Sequence, residues 1–114
     1  MMQLIDRAIT IGDLKKMPEK TFEGLVKEVV DIEQEIMVVD ADLHADQELF
    51  LLENGSQQVN LWGINLYPER IDDNWIEFDS MINLRPSFGN KSRGVDSLEV
   101  QKKIRKIVDK LVTK

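Results

Sequence analysis

The apolar residues fall into two periodic end regions and a middle built of short runs. Near the start, Thr10 and Asp13 stand three apart, the spacing of an N-cap and its short-armed capping box, which predicts a short first helix. Pro18 interrupts that helix or opens the next. From Glu19 to Glu33 the apolar positions Phe22, Leu25, Val26, Val29, Val30 and Ile32 recur at intervals of three and four, which predicts an amphipathic helix with one buried stripe. At the other end, Asp96 or Ser97 caps a final helix whose stripe is Leu98, Val100, Ile104, Ile107, Val108 and Leu111, with a Lys-rich opposite face.

Between these regions the pattern changes. Ile36 to Val39 are consecutive and largely β-branched, as suits a strand covered on both faces. Asn54-Gly55 is a strong turn signal, because both residues tolerate positive φ. ELFLLE before it and QVNLWGINLYP after it then form a hairpin. A competing reading makes residues 42–54 a helix that stops at Gly55, and a run this short does not separate the two by period. A second hairpin has Pro68 to Asn74 as its loop and WIEFDSMINLRP as its strand, with Phe78, Ser80, Ile82 and Leu84 on one face and Asp79, Met81, Asn83 and Arg85 on the other. PSFGNKSRGVDS is irregular. The order is α-β-β-β-β-α: an α+β fold with a mostly antiparallel sheet of three to four strands, flanked by N-terminal and C-terminal helices.

Composition narrows the function classes. A chain of 114 residues with no linker or repeat is expected to form a single domain over 1–114. No cysteine is present, which removes disulfides, thiol catalysis, zinc ribbons and iron–sulfur ligation. No signal-peptide pattern and no membrane-length apolar run occur, so a cytoplasmic protein is expected, with no membrane partner. The net charge of −6 hides a division, since residues 1–79 carry −12 and residues 80–114 carry +6. Either the two parts neutralise each other on packing, or the basic part meets an anion. Nucleic acid is not favoured as a partner, because Trp62, Tyr67, Trp75 and Phe88 are too scattered for a stacking platform.

Two polar constellations carry candidate chemistry. In LHADQE the only histidine, His44, shares a face with Glu48 in helix and strand alike, whereas Asp46 joins them only in a strand. A carboxylate beside an imidazole suits a general base. One histidine is too few for a three-histidine zinc site; a carboxylate-rich Mg²⁺ or Mn²⁺ site completed by water stays open, and no metal or other cofactor is assigned. The second constellation gathers Asn65, Asn83 and Arg85 from neighbouring strands, with Asn90 and Arg93 on the loop beyond as a flap. The alternative is an internal network in which Arg85 pairs with an acid and Asn90 only makes a turn. No phosphate-binding glycine loop, nucleophile elbow or dinucleotide fingerprint is present.

The stretches VKEVVDIEQEIMVVDADLHADQELFLLENGSQQ, LWGINLYP and WIEFDSMINLRPSFGNKSRGV resemble a prokaryotic family built on a domain of unknown function. The resemblance runs from about Leu14 to the final helix. It implies a small cytoplasmic single-domain protein and brings no reaction, cofactor, partner or site residue.

Three functions follow from the residues. One is a binding module whose Asn/Arg pocket takes a small anionic or nucleotide-like ligand, with Asp46, Asn65, Asn83, Asn90 and Arg93 as its contacts. Another is a hydrolase or ribonuclease-like enzyme with His44 as general base, Glu48 orienting it and Arg85 stabilising negative charge. The third is an interaction protein without chemistry, such as a homodimer joined through an edge strand.

Overall fold

The computed structural model describes residues 2–17 and 24–113. Its elements are β1 (Gln3–Ile5), β2 (Ile9–Thr10), α1 (Ile11–Lys16), β3 (Val26–Asp31), β4 (Ile36–Val39), α2 (His44–Glu53), β5 (Leu61–Leu66), β6 (Ile76–Glu77), α3 (Leu98–Leu111) and β7 (Val112–Thr113). Five strands form one antiparallel sheet in the order β1-β4-β3-β5-β6, and β2 pairs with β7 in a separate parallel ribbon. The α+β architecture with an antiparallel sheet is as the sequence predicts, with five strands in place of three or four.

The sheet is covered on both sides. Val26, Val30, Met37, Val39, Trp62, Ile64 and Leu66 face a core completed by Leu14 of α1 and by Ile104, Ile107, Val108 and Leu111 of α3. The opposite face is smaller, where Val29, Val38 and Leu61 pack against Leu51 of α2. The final helix follows its predicted stripe and its Ser97 cap, whose hydroxyl accepts from the Val100 N–H at 3.3 Å. Leu98 departs from the stripe and stands largely exposed. Thr10 caps α1 as expected, its hydroxyl accepting from the Asp13 N–H at 3.0 Å.

Three elements differ from expectation. The helix read over Glu19–Glu33 is instead the central strand β3, at least from Val26 onward; its first part, residues 19–23 with Phe22, lies outside the described residues. Val26, Val29 and Val30 mimic helical spacing because a central strand is apolar on both faces, which erases the period of two. ELFLLE is not a strand but the body of α2, as in the competing reading. Gly55 at φ 100° ends that helix in a Schellman turn, with Ser56 N–H donating to the Leu51 carbonyl at 2.9 Å and Gly55 N–H to Leu52 at 3.4 Å. So the Asn54-Gly55 signal marks a helix stop and not a hairpin.

The third difference is the strand over WIEFDSMINLRP, which pairs with β5 only at Ile76–Glu77. Beyond it the chain presses onto Gly63 of β5, where a Cβ would meet the Ser80 side chain at 2.6 Å. Residues Met81–Asn83 form a 3-10 turn, and the Asn83 side chain takes the place of a strand partner. Its Oδ1 accepts from the Gly63 N–H at 2.8 Å, and its Nδ2 donates to the Gly63 carbonyl at 2.9 Å and to the Arg93 carbonyl at 3.0 Å. Asn83→Ala leaves both backbone groups of Gly63 buried without these bonds. It is expected to cost about 2–4 kcal/mol in urea denaturation, and a loss below about 1 kcal/mol would show that the amide is dispensable.

Glu28 sits within the larger core, on the face that β3 turns toward α1 and α3. It is fully buried between Val39 and Ile64, and neither carboxyl oxygen has a partner. Burial pushes its pKa from 4.5 to about 8. The fold therefore favours the protonated acid. The associated stability is complete below pH 4.5 and is lost as pH rises toward 8. Denaturation at about pH 5 and about pH 9 should show the native chain losing a few kcal/mol that Glu28→Gln retains. Equal losses in both proteins would place the carboxyl in contact with water.

Candidate functional site

The sheet is open to a cavity of about 580 Å³ on its α2 side, toward the end where β6 joins. Its floor is a row of three side chains set by strand register. Lys27 of β3 stands opposite Asn65 of β5, and Asn65 stands opposite Glu77 of β6. His44 lines one wall at the first position of α2, and residues 79–82 with Arg93 line the other.

The floor is hydrogen-bonded from within. Asn65 donates through Nδ2 to Glu77 Oε1 at 2.9 Å and to the Asp79 carbonyl at 3.3 Å. Tyr67 donates its hydroxyl to the same carboxylate oxygen at 3.2 Å. The Asn65 Oδ1 is buried and accepts nothing. At the rim Arg93 Nε donates to Asp79 Oδ1 at 2.8 Å, both side chains being about half exposed. Among the described residues the ionic lining is balanced: Lys27 and Arg93 against Glu77 and Asp79.

His44 is buried, and its Nε2 lies 2.7 Å from the Ile64 carbonyl. A carbonyl only accepts, so Nε2 carries the proton and the lone pair stands on Nδ1. Nδ1 has no hydrogen-bond partner among the described residues. Burial holds the imidazole pKa below 6.5, with help from the charges of Lys27 and Arg93, against the Ile64 bond and the charge of Asp79. The ring is therefore neutral at pH 7, oriented by a backbone group, and able to accept a proton or a hydrogen bond.

The structure brings His44, Asn65 and Arg93 into one cavity and places the other candidates elsewhere. Asp46 is exposed in the first turn of α2, where its charge suits the helix dipole, and helical rotation turns it away from His44. Glu48 shares the helix face of His44 but does not line the cavity. The orienting part assigned to it belongs to the Ile64 carbonyl. Burial raises the Glu48 pKa, offset by the nearby charge of Arg85.

Arg85 does not line this cavity, and its main partners are backbone carbonyls in place of an internal acid. Its two terminal nitrogens donate to the carbonyls of Gln58 and, at 2.9 Å, of Leu61, its Nε is buried without a partner, and the guanidinium lies over the Trp62 ring at 4.5 Å. Asn90 builds the loop: its amide donates to the carbonyls of Asn83, Ser92 and Gly94, and its oxygen accepts from the Asp96 N–H. With Asn83 holding Gly63, the Asn83–Arg85–Asn90 part of the predicted pocket is an internal network. Lys27 and Glu77 were missed. Lys27 lay within the stretch read as helix, and only strand register sets it beside Asn65.

Among the described residues no three histidine, aspartate or glutamate side chains gather to hold a metal ion, and no helix is long and apolar enough to cross a membrane. Titration of the single histidine by nuclear magnetic resonance should give a midpoint below 6.5. Asp79→Asn should lower it further and Lys27→Met should raise it. A midpoint unmoved by both changes would place the ring outside the cavity.

No curated protein and no solved structure matches the chain. A family model does so over residues 3–111, almost the full length, and the chain therefore belongs to the family described as "Protein of unknown function (DUF5674)".

Proposed function

We propose that the cavity between α2 and the β5–β6 end of the sheet binds a small polar molecule, and that the protein is a binding module built around it. The observation that carries the reading is the buried, unpartnered Oδ1 of Asn65 on the cavity floor. Polar groups left unpaired in a folded interior call for an explanation, and a ligand supplies one. The remaining open groups agree with it, namely the Nδ1 of His44 and the ammonium of Lys27, which makes no ion pair among the described residues. A simple anion is a poor match for the equal numbers of cations and carboxylates among the described lining residues. A nucleotide-like molecule, with donors as well as negative charge, suits it better.

A second reading has a specific observation behind it. The Ile64 carbonyl fixes the imidazole with its lone pair on Nδ1, the arrangement a general base needs. In that reading His44 would take a proton from a bound hydroxyl or water, without Glu48 or Arg85.

A metabolite library screened by ligand-observed magnetic resonance tests the binding reading. Hits should shift the His44 and Asn65 signals. His44→Ala should lower affinity by about tenfold, the loss of one good polar contact, while a heat-denaturation profile still shows cooperative unfolding. A complete screen with no hit at these residues, or hits untouched by His44→Ala and Asn65→Ala, would defeat it. Turnover of a hit, lost in His44→Ala and falling as the imidazole is protonated, would favour the enzyme.

A further inference from the structure

Resting on that reading of the cavity, we infer that its ligand is a dipolar molecule of the nucleoside monophosphate class, lying across the strands with its anionic end at Lys27 and its amino-bearing ring at Glu77. The register that places Lys27, Asn65 and Glu77 on three successive strands is the observation behind it. Adjacent strands are about 4.8 Å apart, so the cation and the carboxylate start about 10 Å from each other along the row. Asn65 stands between them and bonds to the carboxylate side, which leaves Lys27 as the open cation of the row.

The two ends offer opposite chemistry. At one end the Lys27 ammonium makes no ion pair, and the rim cation Arg93 is already engaged by Asp79. Toward the other, the Asn65 Oδ1 has no donor, and the two hydrogen bonds to the Glu77 carboxylate both fall on Oε1. His44 Nδ1 adds a third acceptor, its ring held by the carbonyl next to Asn65 in the chain. A ligand that satisfies all of these carries a negative group at one end and N–H donors at the other. An α-amino acid carries its two charged groups on one carbon atom and is too short to reach both. The walls supply the remaining part: Leu25 and Ile82 within, and Leu43 and Met81 exposed at 57% and 62% at the mouth. Apolar side chains on either side of a polar floor suit the two faces of a flat ring with donors on its edge.

Three matched probes separate the parts: adenosine monophosphate carries both ends, adenosine only the ring, and ribose phosphate only the anion. Each is titrated by calorimetry, with the His44 and Asn65 resonances reporting that binding is at the cavity. The monophosphate should bind about tenfold more tightly than either partial probe. Lys27→Met should bring it down to the level of adenosine and leave adenosine unchanged. Glu77→Gln should weaken the monophosphate and adenosine and leave ribose phosphate unchanged. The probe comparison on the unaltered protein stands by itself if a variant folds poorly. A partial probe that binds as tightly as the whole, or variants that weaken all three alike, would overturn the orientation while leaving a binding cavity in place. Failure of every probe to move the two resonances would overturn the nucleotide class, and only an empty metabolite screen would remove the cavity reading as well.

Discussion

The close approach at Gly63 is the constraint on which the rest of the molecule depends. At this point in β5 the absence of a side chain lets Ser80 pack directly on the strand, at a distance no Cβ could share. The chain leaving β6 therefore cannot continue as a partner strand. It turns, and the Asn83 amide closes the two backbone groups that a strand would have closed. Since Asn83 also binds the Arg93 carbonyl, and Ser80 N–H donates to that same carbonyl at 2.9 Å, the approach fixes where Arg93 and Asp79 stand. One wall of the cavity is thus held by the backbone of a strand on its floor.

A division of labour among the polar residues follows. Asn83 and Asn90 are consumed by carbonyls and N–H groups, as buried polar side chains generally are, and Arg85 gives two of its three nitrogens to carbonyls while its buried Nε has no partner. They keep an irregular segment in one conformation where regular pairing does not. Lys27, His44 and Asn65 retain unspent capacity, and all three open on the same side of the sheet. What separates the groups is location more than residue type, since Asn65 stands in β5 on the cavity floor while Asn83 closes the open edge of the same strand at Gly63. The core beneath the other face contributes its own oddity in Glu28, an acid that the apolar surroundings keep protonated.

Much of the fold was legible from residue order. The caps at Thr10 and Ser97, the strands at Ile36–Val39 and Leu61–Leu66 and the stripe of the last helix rest on local patterns that tertiary contacts left alone. β3 was illegible because burial on both faces removes the alternation by which a strand is recognised. α2 was ambiguous for a related reason, since Leu49 and Leu52 are exposed while His44 and Gln47 are buried, which blurs its stripe. The site was readable only in part. His44, Asn65 and Arg93 were found by chemistry, but Lys27 and Glu77 join them through strand register, a long-range property that spacing along the chain does not encode. Arg85 and Asn90 were assigned to the pocket because nothing local reveals that a carbonyl, and not a ligand, will receive a donor.

The lengths of the outermost strands bear on how the molecule coexists with its own copies. β1 has three residues and β6 has two. A neighbouring chain aligning along either margin would find a ladder of only a few rungs before the backbone turns away. Brief borders of this kind are a common safeguard against sheet-to-sheet accretion.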